Sequence, residues 1–114
     1  MKRVPKVYII QEPLKRNPRT GEMEAFMDLS PASAYGDLEI VLSRGSTVLS
    51  PGPMIHELQR KLNGFTKDDF LVCIGDTGAI AAAVMVASRI TGGSINILKW
   101  NRDTRSYISL KLEV

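Results

Sequence analysis

The segment from Phe70 to Ile90 constrains the fold more than any other part of the chain. FLVCI, Phe70 to Ile74, is an apolar run without alternation, the pattern of a strand covered on both faces of a parallel sheet. Gly75-Asp76-Thr77-Gly78 then turns the chain into AIAAAVMVASRI, Ala79 to Ile90, which has no polar residue before Ser88. A helix of that composition has no polar stripe to offer water. It is expected to be buried, either between the sheet and another element or against a second subunit, and its alanines permit close approach in both cases. With 114 residues available to cover it, self-association through Ala79 to Ile90 is the expectation, since symmetric homo-oligomers commonly hide such a face.

The other elements fit around this unit. Lys6 to Gln11 (KVYIIQ) is β-branched and aromatic and stops before Pro13, so it reads as a strand. Leu14 to Glu22 contains Asn17-Pro18 and Thr20-Gly21 and has no apolar period, which makes it an exposed loop or hairpin tip. Ala25 to Leu29 is expected to be a short return strand. Ser30-Pro31 opens a single helical turn that Gly36 stops, and Leu38 to Leu42 is the next strand. Arg44-Gly45-Ser46 turns into an extended piece, Thr47 to Leu49. A helix starting near Pro53 follows from Met54 or Ile55, Leu58, Leu62 and Phe65, with Gly64 as its stop. Ser94 to Trp100 and Tyr107 to Val114 form a terminal β-hairpin around Asn101 to Thr104. The order strand, helix, strand, helix, strand, strand predicts one domain over residues 1–114. Its fold class is α/β (or α+β), with a small mixed β-sheet, two main helices and a C-terminal hairpin.

Composition removes several classes of function. The longest apolar stretch, Ala79 to Ala87, is shorter than the roughly 18 residues that cross a bilayer, and no apolar run follows the basic start as in a signal peptide. A soluble cytoplasmic protein without a membrane partner is expected. One cysteine, Cys73, excludes an intrachain disulfide and a multi-cysteine metal site, and as part of the core strand it reads as a small hydrophobe. His56 is the lone histidine, with no neighbours in sequence to complete a metal site or a triad. Asp28, Asp37 and Glu39 lack a base or metal partner and read as a surface acidic face. Gly75 to Gly78 lies where a strand meets a helix N-terminus, a favourable place for an anion. It has neither phosphate-loop nor dinucleotide spacing, however, and Asp76 would repel a phosphate while serving well as an N-cap. No credible active site emerges; a non-enzymatic protein without a cofactor or metal is expected.

Charge and aromatics point instead to binding. The net charge is +3, but its distribution is uneven: residues 1–24 carry +3, residues 25–98 carry −2 and residues 99–114 carry +2. If a four-residue turn sets the hairpin register, Trp100 lies opposite Arg105, Leu98 opposite Tyr107 and Ile97 opposite Ile108. Alternation then places Ile95, Ile97, Ile108, Leu110, Leu112 and Val114 on a core face. The outward face shows Asn96, Leu98, Trp100, Arg105, Tyr107, Ser109 and Lys111, with Arg102 at the tip. Rings interleaved with cations suit a single-stranded nucleic acid, whose exposed bases stack while its phosphates are neutralised. The alternative is an aromatic cross-strand pair covered by another element. On the binding reading, Trp100 and Tyr107 stack bases, and Lys99, Arg102, Arg105 and Lys111 meet phosphates. Lys2, Arg3, Lys6, Lys15, Arg16 and Arg19 form a flexible second clamp.

The opening VYIIQEP, the middle stretch DDFLVCIGDTGAIAAA and the close ILKW-NRDT-RSYISLKLEV together resemble small early proteins of tailed bacteriophages. They are most similar to the single-stranded-DNA-binding cofactors of short-tailed phages that encode their own small RNA polymerase. The resemblance spans most of the chain and rests on overall pattern, without a residue-level binding motif. It implies a protein that holds locally unwound promoter DNA and recruits the phage RNA polymerase, and that is not an OB fold, in keeping with the α/β order. The alternative function is a small protein-binding module, such as a phage inhibitor of a host enzyme, using the same aromatic patch.

Overall fold

Alternation along three strands divides the core in two. A computed structural model describes residues 3–25, 29–42 and 51–114. In it β1 (Lys6–Gln11) sends Tyr8 and Ile10 to one face and Val7 and Ile9 to the other. β5 (Phe70–Val72) does the same with Leu71 and Val72, and β6 (Ser94–Asn101) with Ile95 and Leu98. The first set packs under two helices, α1 (Pro51–Lys61) and α2 (Thr77–Thr91), against Met54, Leu58, Ala79, Ala83 and Ala87. The second packs under the 3-10 turn Ser30–Ala34 and its flanks, against Ala32, Leu29 and Tyr35. Both faces of the central strands are therefore covered, which is why FLVCI shows no polar alternation.

With β4 (Asp37–Leu42) and β7 (Ser106–Glu113) added, the sheet has the order β4-β1-β5-β6-β7. The first four strands run parallel and β7 pairs antiparallel with β6. The fold is thus the expected mixed sheet with two helices and a C-terminal hairpin. Of the loop or hairpin tip read over Leu14 to Glu22, the hairpin is what forms: β2 (Leu14–Arg16) pairs antiparallel with β3 (Met23–Ala25) as a small second sheet. The return strand thus lies earlier than the Ala25 to Leu29 expected; residues 26–28 lie outside the described residues, as do the Arg44 turn and the extended piece at 47–49.

Asp76 caps α2 as its chemistry suggests. Its carboxylate accepts the Ala79 N–H at 3.1 Å, and Gly92 ends the helix with a left-handed φ of 74°. The helix is buried on the face that meets the sheet and α1, while Met85 is 69% and Ile90 43% exposed. Burial all round, as the composition implied, does not occur within one chain.

Two hairpin expectations are corrected. The register is Trp100 opposite Tyr107, Leu98 opposite Ser109 and Ile97 opposite Leu110, two residues from the expected pairing. The turn lies at residues 102–105 rather than at Asn101 to Thr104, because Asn101 still pairs with Ser106 while its Oδ1 accepts the Asp103 N–H at 2.9 Å. A shift of two keeps each side chain on its assigned face, yet on β7 the one buried residue, Tyr107, belongs to the face expected to be outward, and the expected core face is open. Tyr107 is 5% exposed beneath the 3-10 turn, whereas Ile108, Leu110 and Leu112 are about two-fifths exposed and Val114 fully so. The helical layer covers β6 and leaves the helix-side face of β7 open.

Candidate nucleic-acid interface

The parallel strands have two ends with different chemistry. At the amino end, Asp69 immediately precedes β5 with its side chain fully buried. Its carboxylate accepts from both Arg3 guanidinium nitrogens at 2.7 and 3.0 Å, from the Lys6 N–H at 2.8 Å and from the Thr66 N–H at 2.8 Å. Burial works against its charge, but these donors outweigh burial and hold its pKa below the ordinary carboxylate value. Arg3 is therefore not a free clamp residue: its charge ties the segment before β1 to the start of β5. Lys6, also placed in the clamp, lies 3.7 Å from Glu39 on β4. Lys2 lies outside the described residues.

At the carboxyl end, the connection leaving β1 runs to β4 at one edge, and the connection leaving β5 runs through α2 to β6 on the other side. Such divergence opens a crevice in α/β sheets. Here Gln11 fills it. Its side chain is 7% exposed and its Oε1 accepts the Asp76 N–H at 2.8 Å. Gly75 has φ +124°, and a Cβ there would fall 2.5 Å from the Gln11 Cβ, so the glycine is the condition for this close approach. Asp76 is occupied as the cap of α2, which leaves the crevice closed by Gln11 and a carboxylate. No group of three potential metal ligands occurs among the described residues. Cys73 is half-buried, and burial pushes its thiol pKa up, away from nucleophile chemistry. His56 lies exposed on α1.

Both hairpins project from this carboxyl end. The β6–β7 tip carries Lys99, Arg102 and Arg105, all exposed, and none pairs with a carboxylate among the described residues. Arg105 has a left-handed φ of 52°, a conformation that a side chain with a Cβ occupies at a cost. Trp100 is half-buried, meeting Tyr107 edge-on at 5.0 Å between centroids. Tyr107 belongs to the second core with Leu98 and Val72, and its carbonyl accepts the Tyr35 hydroxyl at 2.9 Å. Its expected role as an outward stacking platform is corrected: the phenol lies inside and supports the indole. Lys111 is exposed 3.8 Å from Glu113 on its own strand.

The β2–β3 hairpin brings Arg16 and Arg19 to the same end. Arg16 donates to the Gly21 carbonyl at 2.7 Å, and Arg19 is exposed in the turn. Lys15 lies in β2 opposite Glu24. Of the twelve residues expected to bind, Trp100, Arg102 and Arg105 lie at the end of the terminal hairpin, Lys99 near it on the opposite face of β6 from Trp100, and Arg16 and Arg19 on the other hairpin. Arg3 and Tyr107 are committed to the fold. Sequence reasoning missed Asp69, Gln11 and Tyr35; the signal for Asp69 was a carboxylate abutting a buried strand, a position that demands a partner.

Residues 5–114 match the family described as Phage Pam3 gp32-like protein, and the chain belongs to that family. The match supports a small phage protein and does not reach the RNA polymerase cofactors. No curated protein and no solved structure matches the chain.

Proposed function

We propose, taking membership of a phage family as the premise, that this chain is a non-enzymatic accessory protein that binds single-stranded DNA through the tip of its terminal hairpin. The observation that carries this reading is the tip itself. Lys99, Arg102 and Arg105 are exposed at the end that carries the half-buried indole of Trp100, none in an ion pair among the described residues, and with the one carboxylate of the same turn, Asp103, they leave this end a net positive charge. A flexible strand can lay one base on the exposed part of the indole and its phosphates on the three cations. Arg16 and Arg19, on the other hairpin, extend the path. Recognition of backbone and one base face carries little sequence preference. A role in holding unwound promoter DNA for a phage RNA polymerase, in the cytoplasm of the infected host, follows from the resemblance of the opening, middle and closing segments. No helix among the described residues is long and apolar enough to cross a membrane.

Fluorescence anisotropy with a labelled oligothymidine and the corresponding duplex tests the reading. Single strands bind better than duplex, doubling the salt weakens binding several-fold, and Trp100→Ala costs about 1–3 kcal/mol of affinity. Lack of binding at micromolar protein overturns it. That result would favour the protein-binding alternative through the same aromatic patch, and a groove between α1 and α2 offers a second surface to test. This groove encloses about 300 Å³ and is lined by Ile55, Met85 and Ile90.

A further inference from the structure

Among the described residues β7 is an edge strand whose outer side is unpaired. The Val114 N–H donates to the Gly93 carbonyl at 2.8 Å. Even-numbered residues of β7 therefore direct their backbone groups toward β6, and odd-numbered residues direct theirs outward. At Tyr107 the outward carbonyl is held by Tyr35. Beyond it, the outward N–H and C=O groups of Ser109, Lys111 and Glu113 have no backbone partner within the described residues. The strand has no proline, glycine or bulge to discourage pairing. Its helix-side face presents Ile108, Leu110 and Leu112, each about two-fifths exposed. On its other face, Lys111 and Glu113 are exposed, 3.8 Å apart, and the Ser94 hydroxyl donates to Glu113 at 3.4 Å.

We propose that β7 pairs antiparallel with β7 of a second copy about a twofold axis through Leu112, joining two five-stranded sheets into one. Charge selects both occupant and register. With Leu112 opposite itself, Lys111 of each copy faces Glu113 of the other, so the 3.8 Å pair within each strand is extended into an alternating network of four charges across the axis. Backbone groups of those two residues then exchange hydrogen bonds. Leu110 faces Val114 of the second copy, so the apolar stripe continues across the axis. Moving the axis to Lys111 sets like charges opposite each other, which is unfavourable. Moving it to Leu110 requires the outer edge of Tyr107, whose carbonyl is occupied. The strand is thus complementary to its own antiparallel image in one register, the condition for an isologous contact. This dimer stands independently of the nucleic-acid reading, and it places the self-association expected of α2 on the strand edge instead.

Sedimentation equilibrium on the full chain tests the proposal without nucleic acid. The wild type dimerises with concentration, and Lys111→Glu or Glu113→Lys alone, each creating like-charge pairs across the axis, weakens the dimer at least about tenfold. Both residues are exposed, so both variants fold, as circular dichroism verifies. Mixing the two single variants restores opposite charges in a heterodimer, as does the double variant in a homodimer. A wild type that stays monomeric to about 1 mM overturns the proposal. Single variants that dimerise as well as the wild type, or a mixture that fails to restore association, also overturn it.

Discussion

The two ends of the parallel strands use arginine in opposite ways. At the amino end, Arg3 lies against a fully buried carboxylate that also accepts two backbone N–H groups. At the carboxyl end, Arg102 and Arg105 face solvent and form no ion pair among the described residues, not even with Asp103 in their own turn. The residue type is the same; the position of a counter-charge decides whether it closes the fold or is left for a partner. Net charge and its distribution along the chain cannot separate the two uses, because the partner of Arg3 lies 66 residues away.

The largest test of this contrast is to break the amino end. Asp69→Asn leaves the Arg3 guanidinium without its charge partner and weakens the hydrogen bonds from Lys6 and Thr66. Loss of a buried, hydrogen-bonded charge costs about 3 kcal/mol, read as a lowered urea midpoint at neutral pH. The pH dependence has a definite sign. Because the folded carboxyl titrates below its ordinary value, its contribution is fully present above the unfolded value of about 4 and drains away as pH falls through the folded value. Wild type and Asp69→Asn therefore converge in stability in acid. Equal midpoints at neutral pH would show that the Arg3–Asp69 contact contributes nothing, and the contrast between the ends would fail.

At the other end, Asp76→Ala removes the side-chain cap of α2 and leaves the Ala79 N–H without its acceptor, costing about 1 kcal/mol of stability. The Gln11 bond to the Asp76 backbone N–H survives this change, so the crevice stays filled. Thermal unfolding reads the loss. A cost as large as that of Asp69→Asn would mean that the carboxyl end is as tightly tied as the amino end.

Local signals carried much of this architecture. Cap, helix stop, apolar strand and hairpin each follow from a few adjacent residues: Asp76, Gly92, Phe70 to Ile74, and the two strands around the turn. What lay beyond the sequence was which faces receive cover. Alternation correctly grouped Trp100 with Tyr107 and Ile97 with Leu110, but it carries no information on where the 3-10 turn docks. That turn, through Tyr35 and Ala32, buries Leu98 and Tyr107 on the face expected to be wet, while Ser109 and Lys111 there stay exposed. The helical layer stops at β6, and so Ile108, Leu110 and Leu112 remain exposed on the face expected to be core. Hydrophobicity set the pattern within each strand, and long-range packing chose the side. The site residues divided by the same rule: Arg102 and Arg105, in the turn, and Lys99, near the end of β6, stayed exposed, whereas Arg3 and Tyr107 were claimed by elements remote in sequence.

The smallest effect sharpens the contrast most, because it separates what the fold needs from what the tip offers. Arg105 occupies a left-handed conformation, φ 52°, where glycine has no Cβ to strain. Arg105→Gly relieves that strain but adds the backbone entropy of glycine to the unfolded chain, and it loses no ion pair, since none involves Arg105 among the described residues. The net is a stabilisation of about 0.5 kcal/mol, measured as a slight rise in the urea midpoint. The same substitution removes one of three cations at the tip, so affinity for oligothymidine falls and its salt dependence becomes shallower by nearly one counterion. Opposite movements of stability and affinity identify Arg105 as a residue placed for a polyanion against the preference of its own backbone. A loss of stability together with unchanged affinity would assign the side chain to the fold and remove the tip's strongest distinction from the amino end.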